Sequence, residues 1–167
     1  MDKIKNNVLI IEEKLKQYNP VTVNYGEDLV TGFVNDINGS DLIIYYKETE
    51  MIMTFGFQNA HFAIDDVDSL IIHTEKYLTS EYSSVEFFSK TKDLFGGSRP
   101  SKLVDFSSID KIVDCYTMGN EKAKQGLYEF LKNTPVTIRA INFDNTVNKV
   151  VNVSYKNNEY VVDLIRD

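Results

Sequence analysis

Apolar residues recur at intervals of four and three at the start of the chain, so that Ile4, Val8, Ile11, Leu15 and Tyr18 share one face of a helix. Glu12 is placed to reach Lys16 across one turn. Asn19-Pro20 closes the helix, because Pro20 has no amide proton and biases Asn19 away from helical geometry. The period then shortens to two. Val21-Thr22-Val23-Asn24-Tyr25 alternates, Gly26-Glu27-Asp28 turns, and Leu29 to Val34 returns. Asn38-Gly39 marks a further turn ahead of a strand over Asp41 to Lys47. Met51-Ile52-Met53-Thr54-Phe55-Gly56-Phe57 sets two methionines and two phenylalanines on one face of a fourth strand, the pattern of a half-buried antiparallel meander.

A second helix opens at Asp65 or Asp66 and turns Val67, Leu70, Ile71, Thr74 and Leu78 inward. Ser84 to Lys90 and Leu94-Phe95 predict a hairpin, which Gly96-Gly97-Ser98-Arg99-Pro100 interrupts. Ser107 with Asp110 has the spacing of a capping box for a helix carrying Ile109, Ile112, Val113 and Tyr116, closed at Gly119. Asn120 caps another helix, to Lys132, with Ala123, Leu127, Phe130 and Leu131 inward. Val136 to Phe143, Val147 to Tyr155 and Tyr160 to Ile165 are β-rich runs, with turns at Asp144-Asn145 and Asn157-Asn158. The expected order is α-ββββ-α-ββ-αα-βββ. Short turns between strands favour antiparallel pairing and an α+β fold, antiparallel meanders with about four helices packed on them, over a wound βαβ sheet.

At 167 residues the chain has the size of one domain, with a weaker boundary near residue 100. A core of that size folds without a disulfide or structural metal. Cys115, the lone cysteine, has no internal partner for a disulfide, which points to a reducing compartment. Val8 to Ile11 is too short an apolar run for a signal peptide or a membrane span, so the expected location is the cytoplasm. The wealth of Asn, Lys, Ile and Tyr fits an AT-rich bacterial genome.

Charge changes the picture most. Residues 1–83 hold six Lys/Arg against fourteen Asp/Glu, a balance of −8, while residues 84–167 hold twelve against eleven, or +1, which together make the net −7. Such a surface repels phosphate backbones and anionic membranes, so neither nucleic acid nor lipid is the expected partner. The negative charge is concentrated at Glu12-Glu13, Glu27-Asp28, Glu48 with Glu50, and Asp65-Asp66 with Asp68.

Catalytic signals are sparse. No CxxC, HxH or HExxH spacing is present, and no cofactor motif, so neither a metal nor a cofactor is expected. His61 with Asp65 and Asp66 could hold a metal, but the plainer chemistry is that the aspartates cap and charge a helix N-terminus. Asp65, Asp66 and Asp68 lack the central glycine and closing glutamate of a calcium loop. Gly96-Gly97-Ser98-Arg99 could present amides to an anion, but Pro100 separates it from any helix that would hold a phosphate. Cys115 falls in the last turn of its predicted helix, where the dipole raises rather than lowers a thiol pKa. Tyr45, Tyr46, Phe55, Phe57, Phe62, Phe87 and Phe88 could line a groove, though core packing is the commoner fate of Phe.

In size, acidity and lack of catalytic signatures the chain has the character of small inhibitor or immunity proteins. The expected function is therefore a non-enzymatic protein-binding module, whose Glu48, Glu50, Asp65, Asp66 and Asp68 face a basic protein partner. The alternative is a pocket protein or enzyme using His61, Phe57 and nearby carboxylates. Exposed strand edges leave room for a homo-oligomer.

Overall fold

The helical period at the start of the chain becomes α1 (Asp2–Lys14), which buries Val8 and Ile11 and, unexpectedly, Asn7. The computed structural model describes residues 2–35, 41–56, 58–89, 92–95, 100–102, 105–144 and 148–165. The class is α+β, with four helices and two antiparallel sheets among the described residues. The chain forms two compact units, Met1–Glu81 with Phe143–Asn145 and Tyr82–Asn142 with Thr146–Asp167. The first crossing between them falls at Glu81–Tyr82, and Pro100 belongs to the second unit.

In the first unit a single 3-10 turn, Lys16–Tyr18, follows α1, and Asn19 at φ 52° releases the chain into the sheet. Strands β1 (Val21–Tyr25), β2 (Asp28–Phe33), β3 (Leu42–Tyr46), β4 (Glu50–Phe55) and β5 (Gln58–Ala63) pair in sequence order, each antiparallel to its neighbour. Alternation sends Phe33, Leu42, Ile44, Tyr46, Met51, Met53 and Phe55 to one buried face. Helix α2 (Val67–Leu78) covers that face with Leu70, Ile71, Thr74, Tyr77 and Leu78. Ring contacts of Phe55 with Tyr77 at 5.2 Å and Phe62 with His73 at 5.5 Å join the layers. Each fully buried side chain of this size contributes about 1.5–3 kcal/mol. Burial, and then Lys76, hold His73 below the ordinary histidine pKa.

Polar side chains inside this unit are bonded in series. Asn7 donates from Nδ2 to the Ile64 carbonyl at 2.6 Å, with the Met51 sulfur at 3.5 Å, which ties α1 to β4 and to the β5–α2 junction. Thr22, Thr31 and Tyr46 form a hydroxyl chain across three strands, at 2.7 and 2.8 Å.

The second unit contains β6 (Tyr82–Ser89), β7 (Lys92–Phe95), β8 (Pro100–Lys102), α3 (Ile109–Thr117), α4 (Glu121–Asn133), β9 (Val136–Ile141), β10 (Lys149–Lys156) and β11 (Glu159–Ile165). Its sheet runs β11-β10-β9-β6-β7, with β8 also paired to β6. Val85, Phe87, Ile112, Val113, Leu131, Ile138, Val151 and Val153 form its core. Met118 and Gly119, at φ 52° and 75°, turn the chain between α3 and α4. Asn120 caps α4 by accepting from the Ala123 amide at 3.0 Å. Tyr128 donates to Asp110 at 2.5 Å, joining α4 to α3; burial first, and this bond second, push its phenol up to about 12. The Asn157-Asn158 turn is left-handed at both residues, as two asparagines between strands predict.

The departures from expectation are local. The fourth strand stops at Phe55, because Gly56 at φ 57° starts a turn, and a fifth strand, not expected from the sequence, follows. Gln58-Asn59-Ala60-His61-Phe62-Ala63 has little β propensity and alternates only half-buried with exposed positions, so its pairing with β4 defines it. Strand β8 was also unexpected. Helix α3 is capped by Ser108, not Ser107, whereas α2 is capped by Asp66, one of the two residues expected to open it. Lys16 pairs with Glu13 at 2.8 Å, not with Glu12. Phe57, the Asn38-Gly39 turn and the Gly96-Gly97-Ser98-Arg99 loop lie outside the described residues.

Tyr46 gives this fold a testable pH response. Tyr46 is 3 % exposed, and burial holds its phenol pKa well above that of a free tyrosine, with the Thr31 bond opposing. The folded state therefore keeps a proton that the unfolded chain loses near pH 10, so stability is fully present below that pH and falls as pH rises through it. Tyr46→Phe is expected to cost about 1 kcal/mol at pH 7 by urea unfolding. It is also expected to flatten the decline in stability between about pH 9 and 11.

Candidate functional site

An antiparallel meander brings alternate turns to the same end of the sheet. Tyr25 pairs with Asp28, Leu29 with Tyr46, Tyr46 with Met51 and Glu50 with Ala63, so the β1–β2 turn, the β3–β4 turn and the β5–α2 junction share one end of the first unit. The Ile64 amide donates to the Thr49 carbonyl at 3.0 Å and closes the last two against each other. Three of the four acidic clusters are carried there: Glu27 with Asp28, Glu48 with Glu50, and Asp65 and Asp66 with Asp68. Glu12 and Glu13 lie apart from them, near the C-terminus of α1, about 15 Å of helix beyond Lys3.

The individual carboxylates differ in what they do. Asp28 pairs with Lys47, and Asp65 lies 3.6 Å from Lys3. Glu50 meets His61 Nδ1 at 2.8 Å, both side chains well exposed, so a residue expected to bind a partner and one expected in a pocket form a single surface pair. Asp66 accepts from the Ser69 amide at 3.4 Å as the α2 N-cap. Asp68 follows in the first turn, where the helix dipole favours its charge. Glu48 is exposed in the β3–β4 turn.

From this end carboxylates continue along α2. Asp68, Ile72 and Glu75 are spaced four and three apart on its outer face. With Ile71 and Lys14 they line a shallow groove of about 430 Å³. Ile72 is 57 % exposed and supplies an apolar floor between two carboxylates.

The second unit holds a different arrangement on the sheet face away from its helices. Arg139 donates from Nε and Nη2 to one oxygen of Glu86, at 2.9 and 2.6 Å, and its guanidinium lies 5.2 Å from the Phe88 ring centre. Glu86 is buried, and its other oxygen meets no hydrogen-bond partner among the described residues. Beside this pair is a concavity of about 420 Å³, lined by Phe88, Thr137, Asn152, Ser154, Lys156 and Asp163. Its row is set by register: Phe88 opposes Thr137, Thr137 opposes Asn152, and Asn152 opposes Asp163. Glu86, Arg139, Lys156 and Asp163 lie in no recognisable motif. The available signal was a charge midway along an apolar strand, in Val85-Glu86-Phe87 and Ile138-Arg139-Ala140.

Among the described residues no group of three or more His, Cys, Asp and Glu side chains is placed to hold a metal ion. No helix among them is long and apolar enough to cross a membrane. Cys115 sits half-buried near the end of α3, against the core of the second unit.

Two substitutions separate a surface contact from a structural one. His61→Gln is expected to change stability by less than about 1 kcal/mol in urea unfolding, since it removes only an exposed pair. Arg139→Ala is expected to cost about 3 kcal/mol, because it leaves Glu86 buried without its cation, and Glu86→Met with Arg139→Leu is expected to recover most of that loss. No protein-family model matches the chain, and no curated protein or solved structure matches it either.

Proposed function

We propose that this chain is a non-enzymatic protein-binding module that presents the acidic end of its first unit to a basic partner, in the manner of an inhibitor or immunity protein. The observation that carries this reading is the convergence of Glu27, Asp28, Glu48, Glu50, Asp65, Asp66 and Asp68 on one end of the β1–β5 meander, where, among the described residues, Lys3 and Lys47 pair with two of the seven carboxylates and His61 with a third. Carboxylates that served solubility alone would be expected to spread over the surface. The α2 groove supports the same partner chemistry. A lysine or arginine could lay its aliphatic stem on Ile72 and direct its charge to Asp68 or Glu75. A field of one sign speeds encounter more than it strengthens the final complex.

The test uses the full chain as bait in an extract of its native host at low salt, beside a Glu48→Lys/Glu50→Lys variant. Wild type is expected to retain a basic protein that the variant does not. Raising salt from about 0.05 to 0.5 M shortens the Debye length from roughly 14 to 4 Å, so the association rate should fall at least about tenfold. A partner that binds at a salt-independent rate, or that binds the reversed variant equally fast, would sink the proposal.

A further inference from the structure

The first unit's sheet ends in an unguarded strand. Among the described residues strand β1 pairs with β2 on one side and forms a sheet edge on the other. Its sequence, Val21-Thr22-Val23-Asn24-Tyr25, carries no charge, and the side chains of Val21, Val23 and Tyr25 are 55 %, 48 % and 70 % exposed. Protein edges are usually protected by charges, proline, bulges or a covering element. Among the other edges with described side chains, β11 carries Glu159 and Asp163, and β5 carries His61 in its pair with Glu50.

We propose that the chain pairs with a second copy of itself through β1, the two strands running antiparallel about a two-fold axis at Val23. The two-residue turn Gly26-Glu27, with Gly26 at φ 63°, makes Tyr25 and Asp28 the closing hydrogen-bonded pair. Hydrogen-bonded and non-bonded pairs then alternate, so Val21, Val23 and Tyr25 direct their backbone groups to β2, while Thr22 and Asn24 direct theirs outward. Antiparallel pairing about Val23 sets Thr22 of each copy against Asn24 of the other, as two reciprocally bonded pairs. Val23 meets Val23, and Val21 meets Tyr25, all on one face of the joined sheet. Pro20 has no amide proton and lies at the next outward-facing position, so a register slipped toward it loses a bond.

Charge selects the same orientation. Strand β1 runs toward Glu27 and the acidic end of its own sheet. Antiparallel pairing sends the two acidic ends in opposite directions and sets Glu27 against Asn19, whereas parallel pairing would bring both acidic ends together. Five residues a side bury less than the roughly 1,200–2,000 Å² of a stable dimer. The pair is therefore reversible, with a Kd between about 10 µM and 1 mM.

Sedimentation velocity of the full chain from about 10 µM to 1 mM is expected to give a dimer fraction that rises with concentration. Val23→Lys and Val23→Glu should each weaken self-association at least about tenfold, because each sets like charges across the axis. An equimolar mixture of the two should restore a one-to-one dimer, since residue 23 faces its own counterpart. Ile72→Lys, an equally exposed change on α2, should leave the equilibrium unchanged. As an independent readout, Val23→Cys in a Cys115→Ser background should form an intermolecular disulfide under mild oxidation. A chain that stays monomeric at about 1 mM, a dimer indifferent to both Val23 charges, a mixture that fails to recover, or absence of the crosslink would each overturn the proposal.

Discussion

Everything in the first unit depends on the register of the meander, and the register depends on the two-residue period of its side chains. A slip of one residue between β3 and β4 would turn Met51, Met53 and Phe55 away from α2 and put Ile52 and Thr54 in their place. The loss would be several large buried side chains at once, against which no turn or surface pair could compete. That single constraint places the β1–β2 and β3–β4 turns and the β5–α2 junction at one end, and so gathers the carboxylates. It also fixes which side chains of β1 face outward. The candidate site and the open edge are both consequences of packing on the opposite face.

Buried polar groups reinforce that choice. The hydroxyls of Thr22, Thr31 and Tyr46 meet only if β1, β2 and β3 are in their observed register, and Asn7 finds the Ile64 carbonyl only if α1 lies where it does. Each such bond adds little net stability, but leaving one unmade inside the protein costs more than forming it returns. In the second unit Glu86 and Arg139 act in the same sense, as directly opposed residues on β6 and β9 that match charge to charge. A slipped register there would leave a carboxylate buried without its cation.

Features set by local physics are legible in the amino-acid order. Spacing along α1 and α2, the caps at Asp66 and Asn120, the alternation of β1 to β4 and the asparagine turn before β11 were all readable, because each depends on residues within a few positions of one another. The α+β class followed from those elements and their short connections. The remaining features arise from contacts between distant segments. Strand β5 exists because β4 offers it a partner, its own residues having no strong preference. The pairing of His61 with Glu50, and of Glu86 with Arg139, joins positions 11 and 53 apart in the chain. The acidic clusters were visible as composition, but their gathering at one end was not, since sequence separation carries no direction in space. Cross-strand neighbours are chosen by whichever register buries the most apolar surface, a sum over the whole sheet that no short stretch of sequence contains.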